Sequence, residues 1–154
     1  MRIIDTPMLA EALYVARHLR QIDQQELWAS EGRTPFYACM EACRHADICI
    51  GIAGDDEQMV GLAGVNGHVI WMLGTEGLTA TESHRRQLAR GAKAWIASVV
   101  QEKLQERGQV LLHNWVHAKN IDSIRWLESL GFTVHPPEPH GPSLQLFRYF
   151  CMRA

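Results

Sequence analysis

The sequence predicts one α/β domain with a mixed, mostly antiparallel sheet that contains one parallel pair of strands. Three extended apolar runs, separated by turn residues, fill positions 47–74 and indicate an antiparallel meander. A strand at about 68–74, a helix over 81–107 and a strand at 109–116 follow in β-α-β order, so the two strands should be parallel neighbours. The helix carries its apolar residues on one face, as a helix packed on a sheet does. We therefore expect helices on both faces of the sheet.

The elements before the meander are a strand and three helices. We predict a strand at 2–5 and helices at about 7–20, 22–30 and 35–45. Thr6-Pro7 starts the first helix, because Thr accepts a hydrogen bond at the N-cap and Pro is tolerated at the first helical position. Gly32 ends the second helix, and Thr34-Pro35 repeats the start signal for the third.

Turn and cap signals divide the middle of the chain. Gly54–Glu57 has the composition of a turn. Asn66-Gly67 is a hairpin signal, because a type I′ turn requires positive φ at both of its central residues. Thr79 followed three residues later by Glu82 resembles a capping box, which places the start of the long helix here.

The C-terminal segment is predicted to be a strand, a helix and a hairpin. The strand lies at 109–116, the helix at about 121–130, the hairpin loop at 136–142 and the last strand at 144–152. Gly108 ends the long helix, and Asn120 caps the short one. Gly131 is the residue after the short helix that favours a left-handed conformation, and Phe132 is positioned to pack back on the last turn.

Length, composition and charge exclude several classes of protein. The chain has 154 residues, of which 47% are apolar and 21% are charged, and its formal net charge is −2. These values are typical of a globular domain and exclude a disordered chain, a collagen-like fibre and a coiled coil. The near-neutral charge gives no broad footprint for nucleic acid or for an anionic membrane surface. We therefore expect neither of these among the partners.

The location is predicted from the start of the chain and from the cysteines. No apolar run approaches the roughly 18 residues that span a bilayer, and Met1–Asp5 does not begin a secretory signal. The four cysteines, Cys39, Cys43, Cys49 and Cys151, include no C-x-x-C pair, which is typical of reduced thiols that fill core space. We expect a cytoplasmic protein.

The loop before the long helix, residues 74–85, is the first candidate site. Ligands of open α/β sheets bind beyond the carboxyl ends of parallel strands, and a helix N-terminus there offers free N–H groups to an anion. Arg85 lies toward the sheet side of the first turn and is the candidate phosphate ligand. Arg86, Arg90 and Lys93 share the stripe opposite the apolar face, which indicates a solvated surface.

The stretch from Asn120 to Phe132 carries a family resemblance. Its matching residues are Asn120, Ser123, Trp126-Leu127 and Gly131-Phe132. A strand that ends in a polar loop, an Asn cap, a short helix and then Gly-Phe resembles the C-terminal half of the GNAT acetyltransferase fold. The order of the predicted elements resembles the same fold over nearly the whole chain.

The resemblance implies transfer of an acetyl group from acetyl-CoA to an amine. The cofactor would lie in the notch where the two parallel strands diverge. The residues that would hold it are Met72, Leu73, Arg85, Asn120, Ser123 and Trp126. The backbone near Met72 and Leu73 would pair with the pantetheine, the start of the long helix with Arg85 would receive the pyrophosphate, and the other three would line the CoA arm.

A narrower resemblance involves short runs along the chain. They are Trp71–Thr75, Asn114–Asn120, Ser123–Leu127 and Leu130–Phe132. These runs look like a group of tailed-phage proteins that are GNAT-like or are related to the internal-core assembly proteins of short-tailed phages. This resemblance implies the host cytoplasm or the virion as location and virion proteins as partners. It also implies an alternative function, a non-catalytic GNAT scaffold that serves assembly or binds a host partner.

Two departures from the GNAT pattern bear on catalysis. The family usually has paired glycines just before the long helix, and the segment Thr79–Gly91 has none. The tyrosine that commonly protonates the leaving thiolate falls at Leu127, which cannot donate a proton. The third meander strand carries no carboxylate, so the sequence identifies no catalytic residue. His113 and His117 are alternatives that the spacing does not separate.

No metal site is predicted, and the oligomeric state is left open. His113 and His117 are four residues apart but have no third ligand at a recognisable spacing. Val100 and Leu104 lie off the core face of the long helix, which indicates a further packing surface.

Overall fold

The computed structural model describes residues 1–154 as a seven-stranded sheet with five α-helices. The strands are β1 (Arg2–Ile4), β2 (Ile48–Ala53), β3 (Met59–Asn66), β4 (Val69–Gly74), β5 (Leu111–His117), β6 (Thr133–His140) and β7 (Gln145–Arg153). The helices are α1 (Leu9–Arg17), α2 (Gln21–Glu31), α3 (Pro35–His45), α4 (Glu82–Arg107) and α5 (Ile121–Ser129), and a 3₁₀ helix covers Glu76–Thr79. The mixed α/β class and the order of elements are as predicted.

The sheet has the strand order β1-β2-β3-β4-β5-β7-β6, and every pair is antiparallel except β4 and β5. The predicted parallel pair is therefore confirmed. Its ladder is short, because Val69 opposite His113 is its one register position, and the His113 N–H donates to the His68 carbonyl at 2.9 Å. Asn114 Nδ2 then donates to the Ile70 carbonyl at 2.8 Å. Beyond these contacts the strands diverge, and a notch opens between their carboxyl ends.

Helices cover both faces of the sheet and bury an apolar core on each. The core under α4 and α5 includes Val65, Ile70, Ile96, Val99, Leu112, Ile124, Phe132 and Phe150. The core under α1 and α3 includes Val15, Leu19, Cys39, Leu62 and Leu73. Each fully buried Val, Leu, Ile or Phe side chain contributes roughly 1.5–3 kcal/mol relative to an exposed one, so the two cores hold the sheet between its helices.

The long helix α4 contributes more of its surface to the core than its apolar stripe predicts. Val100 and Leu104, which were expected off the core face, pack against the core under α4 and α5. Lys103 beside them is 4% exposed, with its Nζ 3.9 Å from Asp47 Oδ2. The further packing surface inferred from Val100 and Leu104 is therefore wrong. Neither α4 nor any other helix is long and apolar enough to cross a membrane.

The first helix is shorter than predicted. α1 starts at Leu9 instead of Pro7, because the Glu11 carboxylate accepts a hydrogen bond from the Met8 N–H at 2.8 Å and so caps the helix at Met8. It ends at Arg17, before the position predicted from the apolar spacing. The capping carboxylate thus belongs to Glu11, a residue of the helix itself, and not to the Thr6-Pro7 segment that was predicted to start the helix.

The start of α4 also differs from its prediction. Thr81 is the N-cap, and its hydroxyl accepts a hydrogen bond from the His84 N–H at 3.0 Å. Thr79 instead ends the 3₁₀ helix, so the capping box predicted for Thr79 and Glu82 is wrong. The 3₁₀ helix buries Leu78 completely, and this burial moves the helix start to the next hydroxyl residue.

The turn between β3 and β4 is shifted by one residue. Its central residues are Gly67 and His68, and of these Gly67 alone has a positive φ, at 60°. This pattern belongs to a type II′ turn, in which the first central residue has positive φ, rather than to the predicted type I′ turn. Asn66 remains in β3, where its Oδ1 accepts a hydrogen bond from Trp71 Nε1 at 2.8 Å.

The proline-rich segment predicted as the 136–142 loop is largely strand. β6 continues to His140, and the connecting loop covers 141–144. β6 is the last strand of the sheet and pairs with β7 alone, and its register shifts between Val134 and Pro137. An edge strand tolerates proline, because one side of its backbone needs no hydrogen-bond partner in the sheet.

Alanine substitutions at two glycines should change the stability of the fold in opposite directions. A Cβ at Gly64 would meet the Trp71 ring and lie 2.5 Å from the Ile48 carbonyl, so Gly64→Ala should destabilise the fold by about 1–3 kcal/mol. A Cβ at Gly91, within α4, meets nothing within 4 Å, so Gly91→Ala should stabilise the fold by about 0.5–1 kcal/mol. Urea unfolding of both variants measures the difference. Equal stabilities would contradict the register of β3 and β4.

Candidate functional site

The notch between β4 and β5 presents free backbone groups. Two residues of β4 make backbone hydrogen bonds on the side away from β3. The Ile70 carbonyl accepts from the Asn114 side chain of β5, and the N–H and C=O of Gly74 bond to Asp23 and Arg20 at the start of α2. Alternate residues of an antiparallel strand direct their backbone groups to the same side. Met72 lies between these two, so its N–H and C=O point into the notch, where β5 has no residue in register with it.

Two cavities meet at the notch, one on each face of the sheet. The α2-side cavity, of about 460 Å³, lies among α2, α3, β4, β5 and β7. The α4-side cavity, of about 330 Å³, lies among α4, α5 and the other face of the sheet. The residues that line both are Ile70, Trp71, Met72, Trp126, Leu127 and Phe150. An elongated ligand in the notch therefore reaches both faces.

The α4-side cavity is apolar. Of its 20 lining residues 17 are hydrophobic, so it suits an aliphatic or aromatic group. Its one charged lining residue is Arg90, which was expected on the solvated stripe of α4. Gln87 lies beside it, and its side chain donates to Asp55 Oδ1 at 3.3 Å. A guanidinium at the edge of this cavity is therefore available to an anionic part of a ligand.

The α2-side cavity is lined by four carboxylates, Asp23, Glu26, Glu31 and Glu41. Three of them have a basic neighbour in the same wall: Arg20 contacts Asp23 at 3.0 Å, Arg33 contacts Glu31 at 3.5 Å, and His45 contacts Glu41 at 3.0 Å. Glu26 has no basic partner. The cavity thus holds an uncompensated negative charge, which favours a cationic ligand.

Asp23 ties the start of α2 to the end of β4. The residue is 5% exposed, and its carboxylate accepts three hydrogen bonds from the Arg20 guanidinium and a fourth from the Gly74 N–H at 2.9 Å. Burial raises the pKa of Asp23, and the opposing effects of Arg20 and of the Gly74 N–H hold the increase back. The Arg20 N–H completes the tie by donating to the Gly74 carbonyl at 2.9 Å.

Glu26 ties the next turn of α2 to the end of β5. Its Oε1 accepts from the His117 N–H at 3.0 Å and from Asn120 Nδ2 at 2.9 Å, and its Oε2 has no protein partner. Loss of hydration raises the pKa of Glu26, because these two donors offset only part of the desolvation. The side chain is half-buried and lines the cavity, so Glu26 combines a raised proton affinity with an unoccupied oxygen.

Most of the residues predicted to hold a cofactor lie around the notch. Met72 and Trp126 line both cavities, and Leu73 and Ser123 line the α2-side cavity. Asn120 is the N-cap of α5, as predicted, and its Oδ1 accepts from the Ser123 N–H at 3.3 Å. The same Asn120 side chain donates to Glu26, so its amide serves both the helix cap and the carboxylate.

Arg85, the predicted phosphate ligand, lies apart from these residues. It is exposed in the first turn of α4, lines neither cavity and donates to the Thr79 carbonyl at 2.9 Å. Part of the anion-binding capacity of this helix start is already used, because Thr81 caps the His84 N–H and the acidic Glu82 occupies the first turn. Four of the six predicted residues therefore line the cavities at the notch, Asn120 contacts Glu26 and Ser123 in the wall of one of them, and Arg85 lies outside both.

The two histidines considered as catalytic groups differ in their surroundings. His117 is fixed on both ring nitrogens, by Gln145 Oε1 at 2.7 Å and by the Lys119 N–H at 3.1 Å. Nδ1 of His113 is buried without a hydrogen-bond partner, and burial lowers the pKa of His113. Neither residue lines either of the two cavities at the notch. Glu26, at which no sequence motif pointed, does line the α2-side cavity.

Structural comparison gives this arrangement a context. The chain aligns over 99% of its length with 86% of a phosphinothricin acetyltransferase from Sinorhizobium meliloti in complex with AcCoA, at 9% identity and a TM-score of 0.64. It aligns over its full length with 99% of a ribosomal-protein-alanine N-acetyltransferase from Brucella melitensis, at 12% identity and a TM-score of 0.61. The chain has the GNAT fold. A spermidine N-acetyltransferase from Vibrio cholerae in complex with CoA and spermine shares that fold, with 11% identity, coverage of 99% and 94%, and a TM-score of 0.56.

Two comparisons of the sequence itself found no relative. No family model matches the sequence, and no curated protein matches it. The GNAT fold is thus supported by structure, while the resemblance to tailed-phage proteins gains no support from these similarities. At these sequence identities the similarity establishes the fold but not the activity. The activity has to be argued from the residues of this chain.

Two substitutions separate the roles of Asn120. Asn120→Ala removes the helix cap and the Glu26 contact and should cost about 0.5–2 kcal/mol of stability. Asn120→Asp keeps the cap but places a second carboxylate against Glu26 Oε1, so it should raise the pKa of Glu26 further. Thermal unfolding measures the first effect, and NMR titration of the Glu26 carboxyl carbon measures the second. An unchanged Glu26 titration in Asn120→Asp would contradict the contact.

Proposed function

We propose that the chain is an acetyl-CoA-dependent N-acetyltransferase that acts on a cationic amine. The observation that carries this proposal is the notch, where a free strand edge at Met72 joins an apolar cavity to a carboxylate-lined one. GNAT-fold enzymes in complex with CoA and with AcCoA support the choice of cofactor.

The residues around the notch fit the arm of acetyl-CoA. The backbone of Met72 would pair with the amide groups of the pantetheine, as a neighbouring strand does. Leu73, Ser123 and Trp126 would line the arm, and Asn120 would keep α5 in place beside it. Arg85 at the start of α4 would meet the pyrophosphate. Acetyl-CoA supplies the activated acetyl group and a thiolate leaving group.

The α2-side cavity fits the acceptor amine. A cationic amine gains attraction from the carboxylates of this wall, and Glu26 is the one without a basic partner. The aromatic walls supplied by Trp71, Trp115 and Trp126 suit the aliphatic part of such a substrate. We therefore propose that the substrates are flexible or extended cationic molecules that carry a primary amine.

Glu26 would act as the general base. An ammonium group must lose a proton before its nitrogen attacks a carbonyl carbon, and a carboxylate with a raised pKa accepts that proton more readily than an ordinary one. The His117 N–H and Asn120 hold Oε1, so Oε2 is the oxygen that receives the proton. Leu127 has no proton to donate, so the sulfur of acetyl-CoA would have to leave this site as a thiolate.

Binding of acetyl-CoA is the first test. A ligand at a hundredfold excess over its Kd stabilises the folded state by about 2.7 kcal/mol, so acetyl-CoA should raise the melting temperature. No shift and no calorimetric heat at millimolar acetyl-CoA would remove the cofactor and, with it, the proposed reaction.

The pyrophosphate contact is tested by one arginine and one control. Arg85→Ala should weaken acetyl-CoA binding by about 1.5–3 kcal/mol, the range for hydrogen bonds to charged groups. Lys93→Ala, exposed on the same helix and outside both cavities, should leave binding unchanged. Calorimetric titration at one ionic strength compares the two. Arg90→Ala reports whether the guanidinium beside the α4-side cavity takes the anion instead, which would be seen as a loss larger than that of Arg85→Ala.

The pH dependence tests the base. The acid form of Glu26 cannot accept a proton, so the rate should fall as the pH drops through the raised pKa of Glu26. Glu26→Gln keeps the Asn120 and His117 contacts as an acceptor but should lower kcat by roughly 10²–10⁴-fold and abolish this acidic limb. Glu41→Gln, in the same wall but paired with His45, is the matched control and should keep the limb. A limb that survives in Glu26→Gln would assign the base elsewhere.

A non-catalytic scaffold is the second candidate, and Leu127 is the observation that favours it. A leucine in place of the usual proton donor, together with a helix start that lacks paired glycines, is compatible with a GNAT fold that has lost turnover. Tight binding of acetyl-CoA without acetylation of any amine in a mixed panel would support this candidate. Assembly into a phage particle would be its specific form.

A further inference from the structure

Cys43 and Cys49 lie in contact across the junction of α3 and β2. Their Sγ atoms are 3.4 Å apart, with the Cys49 thiol directed at Cys43, and both residues are half-buried. A disulfide needs an S–S distance of about 2.05 Å, so the two sulfurs must approach by roughly 1.4 Å. The turn between them is held in place, because the Asp47 N–H donates to the Val65 carbonyl at 2.9 Å and Asp47 Oδ2 accepts from the Gly67 N–H at 2.7 Å.

The remaining thiols have no such partner. Cys39 lies one turn before Cys43 on α3 but is fully buried in the core, and its burial raises its pKa to about 12. Cys151 is buried on β7, where its Sγ lies 3.6 Å from His135 Nε2. The sequence predicts thiols that mostly fill core space, and Cys39 and Cys151 are buried while Cys43 packs against the core as a half-buried residue. Cys43 and Cys49 differ from the other two in forming a half-buried dithiol pair.

We propose that Cys43 and Cys49 are a reversible dithiol–disulfide site that exchanges with small-molecule disulfides of the glutathione class. In the first step the thiolate of one of these cysteines attacks one sulfur of the small disulfide, forms a mixed disulfide and releases one thiolate. In the second step the sulfur of the other cysteine, after losing its proton to solvent, attacks the protein sulfur of the mixed disulfide and expels the second thiolate. Two protein thiols and one small disulfide thus become one protein disulfide and two small thiols.

The contact between the two thiols prepares the pair for exchange. An S–H that donates to the neighbouring sulfur stabilises the thiolate there, and thiolates are the attacking species in disulfide exchange. Either cysteine can therefore attack first, and the other lies within reach to resolve the mixed disulfide.

The disulfide would fasten the last turn of α3 to the sheet. α3 supplies Ala38, Glu41, Ala42 and His45 to the wall of the α2-side cavity. A covalent link at Cys43 restricts the opening of this wall, so oxidation should slow amide hydrogen exchange in the C-terminal half of α3. This site follows from the thiol geometry and is independent of the proposed acetyl transfer.

The test uses the full chain in reduced and oxidised glutathione. Intact mass and peptide mapping should show that the wild-type protein loses two hydrogen atoms and gains a Cys43–Cys49 link, which excess reduced glutathione reverses. Cys49→Ser and Cys43→Ser should each stop at a single glutathione adduct on the cysteine that is left, because the resolving sulfur is missing. Cys151→Ala is the matched control and should behave as the wild-type protein does.

Two results would overturn the proposal. They are a wild-type protein that carries stable glutathione adducts without the link, or a link that joins any other pair of cysteines. Peptide mapping of the wild-type protein decides both without any variant, so a variant that fails to fold leaves the test intact.

Discussion

The divergence of β4 and β5 is the constraint on which the rest of the structure depends. A single register position, Val69 against His113, joins the two halves of the sheet, and the Asn114 side chain takes the next carbonyl of β4. A continuous ladder would occupy the backbone of Met72 and close the path between the two faces. The sheet tolerates this interruption because every residue of β4 pairs with β3 and every residue of β5 pairs with β7.

The helix α2 fixes the width of the notch from outside. Asp23 holds the end of β4 and Glu26 holds the end of β5, so two carboxylates on one face of a helix set the distance between two strand ends. Both carboxylates also line the α2-side cavity. Asp23 is paired with Arg20, so of these two groups Glu26 is the one that leaves an unpaired negative charge in the cavity. Because their burial raises both pKa values, the same contacts that shape the site tune its proton affinity.

Elements whose ends are set by near neighbours in sequence were predictable. Thr34 and Asn120 cap their helices as expected, and Gly108 ends α4 in the left-handed conformation, because each of these bonds closes within a few residues. Where two local solutions were available, the prediction failed. Thr79 and Thr81 are both suitable caps, and the burial of Leu78 decided between them. The prolines of β6 are compatible with a loop or an edge strand, and pairing with β7 selected the strand.

The sequence alone determined the α/β class, the element order, the parallel pair and, through the GNAT resemblance, the segments that border the notch. Apolar periodicity and cap residues carry that information because they act over one or two turns of chain. The tertiary structure decided which charged and reactive groups face the notch. Glu26 meets Asn120 across 94 residues of sequence, Arg90 turns toward the apolar cavity, and Cys43 touches Cys49 across the end of a helix. Such contacts depend on how the helices pack on the sheet. Neither the apolar periodicity nor the spacing of motif residues specifies that packing.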